Sequence, residues 1–325
     1  MKNILLIGGA GYIGTVIAEY LIKKNYKVKI IDNFIYNNSN LLNDFFKKFP
    51  EINLVNKDIC NIDNYKPILE EIDALVFLAG LVGDPITKAY PELSMRINRD
   101  ATKNLIDSIP QSEVKKFIFI STCSNYGLIN DDEIANEEHI LNPISLYAKL
   151  KTEIEYYVIN GSKTNFSSTI LRFATAFGFS HRMRFDLTIN EFIYEMIFNK
   201  KISIYDPDTW RPYCHVNDFA RLIELVINSD NSLVDKQVFN VGSDKNNFTK
   251  RQVVNLILKH ITDCKIEYKQ AGSDPRNYRV DFSKVNKILN FNTIYNLDDC
   301  LPELIFKIRD TVFLEKSNYG NYFIK

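Results

Sequence analysis

The segment Tyr147-Ala148-Lys149-Leu150-Lys151 places a phenol and an ammonium at i and i+4, on one helix face. A nearby ammonium favours the phenolate and lowers the phenol's pKa. Such a phenol can take the proton of an alcohol while hydride leaves the same carbon. YxxxK is common on amphipathic helices, so its weight comes from what surrounds it. Ser121-Thr122-Cys123-Ser124-Asn125-Tyr126-Gly127 follows an apolar run at 117–120. Hydroxyls at the C-terminal end of a strand sit where open α/β sheets carry their sites. One of them can hydrogen-bond the same oxygen that Tyr147 deprotonates.

A second constellation lies at the start of the chain. Gly8-Gly9-Ala10-Gly11-Tyr12-Ile13-Gly14 separates an apolar run at 4–7 from a helical pattern at 12–23. Gly8 permits the turn, Gly11 lets backbone approach a pyrophosphate, and Gly14 lets helix and strand pack closely. The phosphates would rest on the helix N-terminus. A second strand at 28–31 ends in Asp32, which suits the adenosine ribose hydroxyls. No Arg or Lys follows between Asn33 and Leu42 to neutralise a 2′-phosphate, which favours NAD over NADP. Asp58-Ile59, after the third strand, is placed to flank the adenine.

These groups need a scaffold, and the first half of the chain supplies its pattern. Strands are expected at 4–7, 28–31, 52–55, 74–78, 117–120 and 168–173. Helices are expected at 12–23, 41–49, 62–72, 91–109 and 145–159. That alternation means βαβ units around a doubly wound parallel sheet. After about Ala174 the rhythm changes. Helices are expected at 187–198, 216–227, 249–260 (with Thr249 as N-cap), 283–289 and 297–307. Short strands are expected at 202–205 and 238–241, and 275–281 reads as extended. The division is a dinucleotide-binding domain at 1–174 and a smaller α/β substrate lobe at 175–325. Segment 213–241 is a candidate to pack back on the first domain.

Length and composition agree with this. A chain of 325 residues, 46% hydrophobic and 25% charged, can bury a sizeable core. Forty basic against forty acidic residues argue against a nucleic-acid or membrane-surface partner. Five dispersed cysteines without CxxC spacing read as thiols in a reducing cytoplasm. Four separated histidines suggest no metal site.

Together, GGAGYIG, Asp32, STCSNYG and YAKLK resemble the extended short-chain dehydrogenase/reductases, in the nucleotide-sugar epimerase/dehydratase branch. The resemblance spans nearly the whole chain. It implies Tyr147 as catalytic acid/base, Lys151 on the nicotinamide ribose, and Thr122 as the catalytic hydroxyl with Ser124 behind it. It extends the NAD contacts to Tyr12, Ile13, Asn33, Leu78, Ala79, Gly80 and Asn98. The branch's 4,6-dehydratases usually carry Thr-Asp-Glu where this chain has Thr122-Cys123-Ser124, so dehydration is not expected here.

The same resemblance implies substrate contacts at Val82, Thr122 and Asn190, and a diphosphate held by Arg211 and Arg276. Leu78–Pro85 and Ser180–Leu187, with Arg182 and Arg184 on the sugar or the diphosphate, look similar to GDP-heptose C4-dehydrogenases and to 4-epimerases. The expectation is an NAD-dependent enzyme acting at C4 of a nucleotide-diphosphate sugar, by 4-epimerisation or as a C4-dehydrogenase. A non-catalytic NAD-binding regulator is the alternative from another class. The resemblance also implies a homodimer.

Overall fold

The computed structural model describes residues 2–61, 66–130, 133–161, 166–270, 277–313, 315–322 and 324. Its strands are β1 (Asn3–Ile7), β2 (Lys27–Asp32), β3 (Asn53–Asn56), β4 (Ala74–Phe77), β5 (Lys116–Thr122), β6 (Ser167–Phe173), β7 (Thr175–Phe177), β8 (Lys201–Tyr205), β9 (Trp210–His215), β10 (Gln237–Val241), β11 (Asn247–Thr249) and β12 (Lys265–Lys269). Seven of them form one sheet in the order β10-β6-β5-β4-β1-β2-β3, and every pair is parallel.

A parallel sheet needs both faces covered, so its strands read as continuous apolar runs. In β1, Ile4 and Leu6 enter one core while Leu5 and Ile7 enter the other. The strand order reverses between β1 and β4, and the crevice at their carboxyl ends is the switch point of a doubly wound sheet. The glycine turn, the loop after β4 and the hydroxyl turn after β5 all open there.

The helix expected at 91–109 is one rod with a wide turn in it. Pro91–Met95 and Thr102–Ser108 are α-helical, and Arg96–Ala101 between them is a π-turn. The Thr102 hydroxyl donates five residues back to Ile97 O at 3.1 Å, closing that turn. Helix 187–198 likewise ends in a π-turn, Glu195–Asn199. The helix read at 62–72 is described only from Lys66, as Lys66–Leu69. Helix Lys250–Leu258 begins as expected. The Thr249 hydroxyl accepts from Gln252 N and the Gln252 side chain accepts from Thr249 N, a capping box.

The smaller C-terminal region holds a three-stranded sheet, β11-β9-β7, and a parallel pair, β12-β8. It is joined to the large sheet at several points. β10 leaves it to become the edge strand beside β6. Helix Val216–Asn228 lies on helix Tyr12–Lys23, with Tyr20 donating to Glu224 at 3.0 Å. His215 caps that helix, its Nδ1 accepting from Asn217 N at 3.2 Å, so it serves structure. Cys123 and Cys214 are buried, and all five thiols are free. No helix among the described residues is long and apolar enough to cross a membrane.

Candidate functional site

The strand ends surround a cavity of about 570 Å³ between the two lobes. On the sheet side it is lined by the glycine turn, Asp32, Asn33, Ile59 and the loop Leu78–Asp84. Thr122, Ser124, Tyr147 and Lys151 line its floor. Thr175, Arg182, Arg184, Arg211, Tyr278 and Asn321 line the side facing the second lobe.

The glycine turn is a cradle for backbone contact. Gly8 has φ +79, and a Cβ there would stand 2.5 Å from Ala79 N. A Cβ at Gly14 would stand 2.5 Å from Gly9 O. Only glycine lets turn, strand and helix close so tightly. Asp32 caps the arrangement, accepting from Ala10 N at 3.1 Å and from Phe34 N at 2.9 Å. Burial pushes its carboxyl up, and those backbone donors hold it down. An acid at a strand end, above a bare glycine turn, fits a dinucleotide ribose and pyrophosphate.

Two expected cofactor contacts, Asn98 and Asp58, are not among the residues that line the cavity. Asn98 is buried and spends its amide on one residue. It accepts from Leu81 N and donates to Leu81 O, both at 2.8 Å. It therefore shapes the loop after β4 from beneath. Asp58 is exposed and accepts from Cys60 N at 2.8 Å, while its neighbour Ile59 reaches the cavity. Asn33 caps its own loop, accepting from Ile35 N at 3.1 Å.

Tyr147 and Lys151 ride one face of helix Leu146–Asn160, whose N-cap Ser145 accepts from Ala148 N. The Lys151 ammonium donates to Ile120 O at 2.7 Å and sits 4.6 Å above the Phe119 ring. Burial lowers it to about 7, and Glu155 one turn on opposes that. Burial also pushes the Tyr147 phenol up, and the cation that most opposes this is Arg184. Sequence spacing makes Lys151 the group that lowers the phenol; its ammonium here gives one of its three N–H donors to β5. Thr122 accepts from Ser124 N at 3.1 Å, and Ser124 Oγ lies 3.3 Å from the Tyr278 hydroxyl. Cys123 points the other way, donating to Arg172 O at 3.2 Å. Burial raises its thiol, so no acid or base stands between the two hydroxyls.

The second-lobe residues divide. Arg184 is buried and meets Asp186 through both Nε, at 3.0 Å, and Nη2. Its Nη2 also approaches Val82 O at 3.5 Å. Arg211 donates to Trp210 O at 2.7 Å and lies 5.1 Å over the Tyr278 ring. Asn190 does not line the cavity. It donates to Tyr12 Oη and Arg184 O and accepts from Gly178 N, tying the lobes together. Arg276 lies outside the described residues.

Sequence reasoning missed Tyr36, Lys250, Tyr278, Asn321 and Tyr322, all on the cavity wall. Tyr278 carried a signal, two residues beyond Arg276. Asn321 and Tyr322 carried none, because nothing local marks a polar tail that returns to a cleft.

The model of the NAD dependent epimerase/dehydratase family matches residues 4–242. The chain is 25% identical to the UDP-glucuronate 4-epimerase of Thermodesulfobacterium geofontis, over 98% of this chain and 99% of that one. It is 24% identical to UDP-glucuronic acid decarboxylase 1 of Arabidopsis thaliana, over 98% of this chain and 72% of that one. A UDP-glucose 4-epimerase of Thermotoga maritima, solved with UDP-glucose, superposes with a TM-score of 0.85 at 25% identity, covering 95% of this chain and 99% of that one. A match running from β1 to the end of β10 leaves one assignment: the chain belongs to the NAD-dependent epimerase/dehydratase family and takes NAD as its cofactor.

Proposed function

We propose that this enzyme epimerises a nucleotide-diphosphate sugar at C4. The observation that carries the reading is one cavity holding the dinucleotide cradle, Thr122, Tyr147 and Lys151, with a buried thiol where a dehydratase acid would stand. Bound NAD supplies the acceptor and donor of hydride at C4. Tyr147 takes the C4 hydroxyl proton and returns it after the keto sugar has turned its other face. Thr122 positions the C4 oxygen beside that phenol. Lys151 orients the nicotinamide ribose from beneath and adds positive charge near Tyr147 when protonated. Arg211, with Arg276, holds the substrate diphosphate through its planar fork. Val82 and Arg184 border the sugar.

The stretch Leu78–Pro85 favours a second reading, a C4-dehydrogenase that releases the keto sugar. One experiment separates the two. Incubate the purified protein with UDP-, GDP- and dTDP-sugars, follow proton NMR, and record absorbance at the NADH band. Equilibration of two C4 epimers without net NADH is expected. Stoichiometric NADH with a 4-keto product overturns epimerisation in favour of the dehydrogenase. Turnover of no nucleotide sugar overturns both. We also propose a homodimer through the face of the helical rod 91–108 and helix Leu146–Asn160, where Tyr156 is 61% exposed. A monomer by light scattering at micromolar concentration overturns it.

A further inference from the structure

The segment after β7 crosses from the second lobe to the first and is pinned there. The Tyr12 hydroxyl donates to Gly178 O at 2.6 Å. Ser180 Oγ donates to Tyr12 O at 2.6 Å and lies 2.9 Å from Thr15 Oγ1. His181 Nε2 stands 2.8 Å from Glu19, and its ring packs 4.7 Å from Phe45. Tyr12, Thr15 and Glu19 climb one side of the helix that starts at the glycine turn. The segment is thus stapled along the helix whose N-terminus receives the cofactor phosphates.

Arg182 is carried by that staple, its backbone N donating to Ser180 Oγ at 3.2 Å. The residue is 2% exposed, and its guanidinium lies 5.4 Å from the Tyr36 ring centre and gives Nη2 to Gly320 O at 3.3 Å. Nε has no hydrogen-bond partner among the described residues. Arg184, two residues on, has its own carboxylate in Asp186. Asp186 and Asp32 lie within electrostatic reach of Arg182, but among the described residues neither carboxylate hydrogen-bonds its guanidinium, and a buried guanidinium facing a cavity in that state is completed by an anion. Its fork suits phosphate oxygens.

Two diphosphates can enter this cavity, the cofactor's and the substrate's. The staple favours the first. It fixes Arg182 beside Tyr36 and within electrostatic reach of Asp32, whereas Arg211 projects from β9 beside Tyr278. We infer that Arg182 is a cofactor residue, a guanidinium that the second lobe delivers to the dinucleotide's pyrophosphate. The family resemblance places it instead on the substrate's sugar or diphosphate. The inference rests on NAD occupying the glycine turn. One consequence is a cofactor held under a stapled loop between turnovers.

The test uses cofactor-stripped protein and calorimetric or NMR titration with three probes: ADP-ribose, adenosine, and whichever of UDP, GDP and dTDP the wild type binds most tightly. Arg182→Met is expected to weaken ADP-ribose at least tenfold, leaving adenosine and the nucleoside diphosphate within twofold. Unchanged ADP-ribose affinity overturns the inference. So does a tenfold loss on the nucleoside diphosphate with ADP-ribose spared, which would return Arg182 to the substrate. A wild type that fails to bind ADP-ribose overturns the cofactor reading itself. Should the Met variant not fold, Arg182→Lys keeps the charge and loses the fork. It is expected to weaken ADP-ribose at least threefold, and unchanged affinity overturns the inference equally.

Discussion

The two walls of the cavity are held by different means. The sheet-side wall is mostly backbone: a glycine turn against Ala79, and a loop after β4 hung on the Asn98 amide. The second-lobe wall is mostly side chains. Arg184 is paired with Asp186, Arg211 lies over Tyr278, and Lys316 reaches Glu191 and Glu195 behind. A backbone wall tolerates no added carbon but is indifferent to most side-chain chemistry. A side-chain wall can be re-lettered residue by residue. The first suits a ligand that does not change, and the second suits a sugar that differs between relatives.

The largest expected effect tests whether chemistry and cofactor binding separate along this divide. Tyr147→Phe should lower turnover by roughly 10²–10⁴-fold, the usual worth of a positioned acid/base. Bound NAD, read by absorbance after denaturation, should stay at the wild-type level. Loss of both together would mean the floor cannot be separated from the sheet-side wall.

Next comes the seam between the lobes. Burial lowers His215 from 6.5 to about 4. Between those values the unfolded chain binds a proton that the native chain refuses, so stability falls as pH drops through that window. At about 1.4 kcal/mol per pKa unit, the loss approaches roughly 3 kcal/mol by pH 4. Urea midpoints from pH 7 to pH 4 should show that slope, and His215→Gln should flatten it.

Gly8→Ala attacks the backbone wall directly. Its Cβ would meet Ala79 N at 2.5 Å from a residue at φ +79. Strain of about 1–3 kcal/mol is expected, with loss of bound NAD. Chemical denaturation and cofactor content measure the two. An alanine that kept both would show that the turn is not held by close approach.

Arg211→Met attacks the other wall. KM for the nucleotide sugar should rise about tenfold, with kcat within twofold, as for a lost uniform binding contact. Initial-rate kinetics check it. A fall in kcat alone would move Arg211 from holding the substrate to acting at C4.

The sequence was most legible where one short segment makes one feature. The glycine turn, Asp32 after β2 and the Tyr147–Lys151 face depend on neighbours a few residues away, and periodicity placed their strands to within a residue or two. It was less legible where distant segments meet. Asn190 had a family position facing a diphosphate, yet Tyr12 and Gly178, brought in by the fold, take its amide. Asn98 is expected at the NAD from family position alone, and its amide contact with Leu81, through the π-turn that carries it, is set by segments 17 residues apart. Lys151 is expected beside Tyr147 from spacing alone, whereas its hydrogen bond to Ile120 O on β5 and the burial that lowers it come from segments the local pattern does not show. Asn321 and Tyr322 reach the cavity through a long-range return that no local pattern encodes.

Epimerisation in this cavity requires hydride to leave and return at one carbon. It is tested most directly by a nucleotide sugar deuterated at C4, chosen from the UDP-, GDP- and dTDP-sugars the enzyme turns over. The C4 epimer should form with deuterium retained at C4 and no NADH released. Deuterium appearing in free NADH, with a 4-keto sugar in solution, would contradict it.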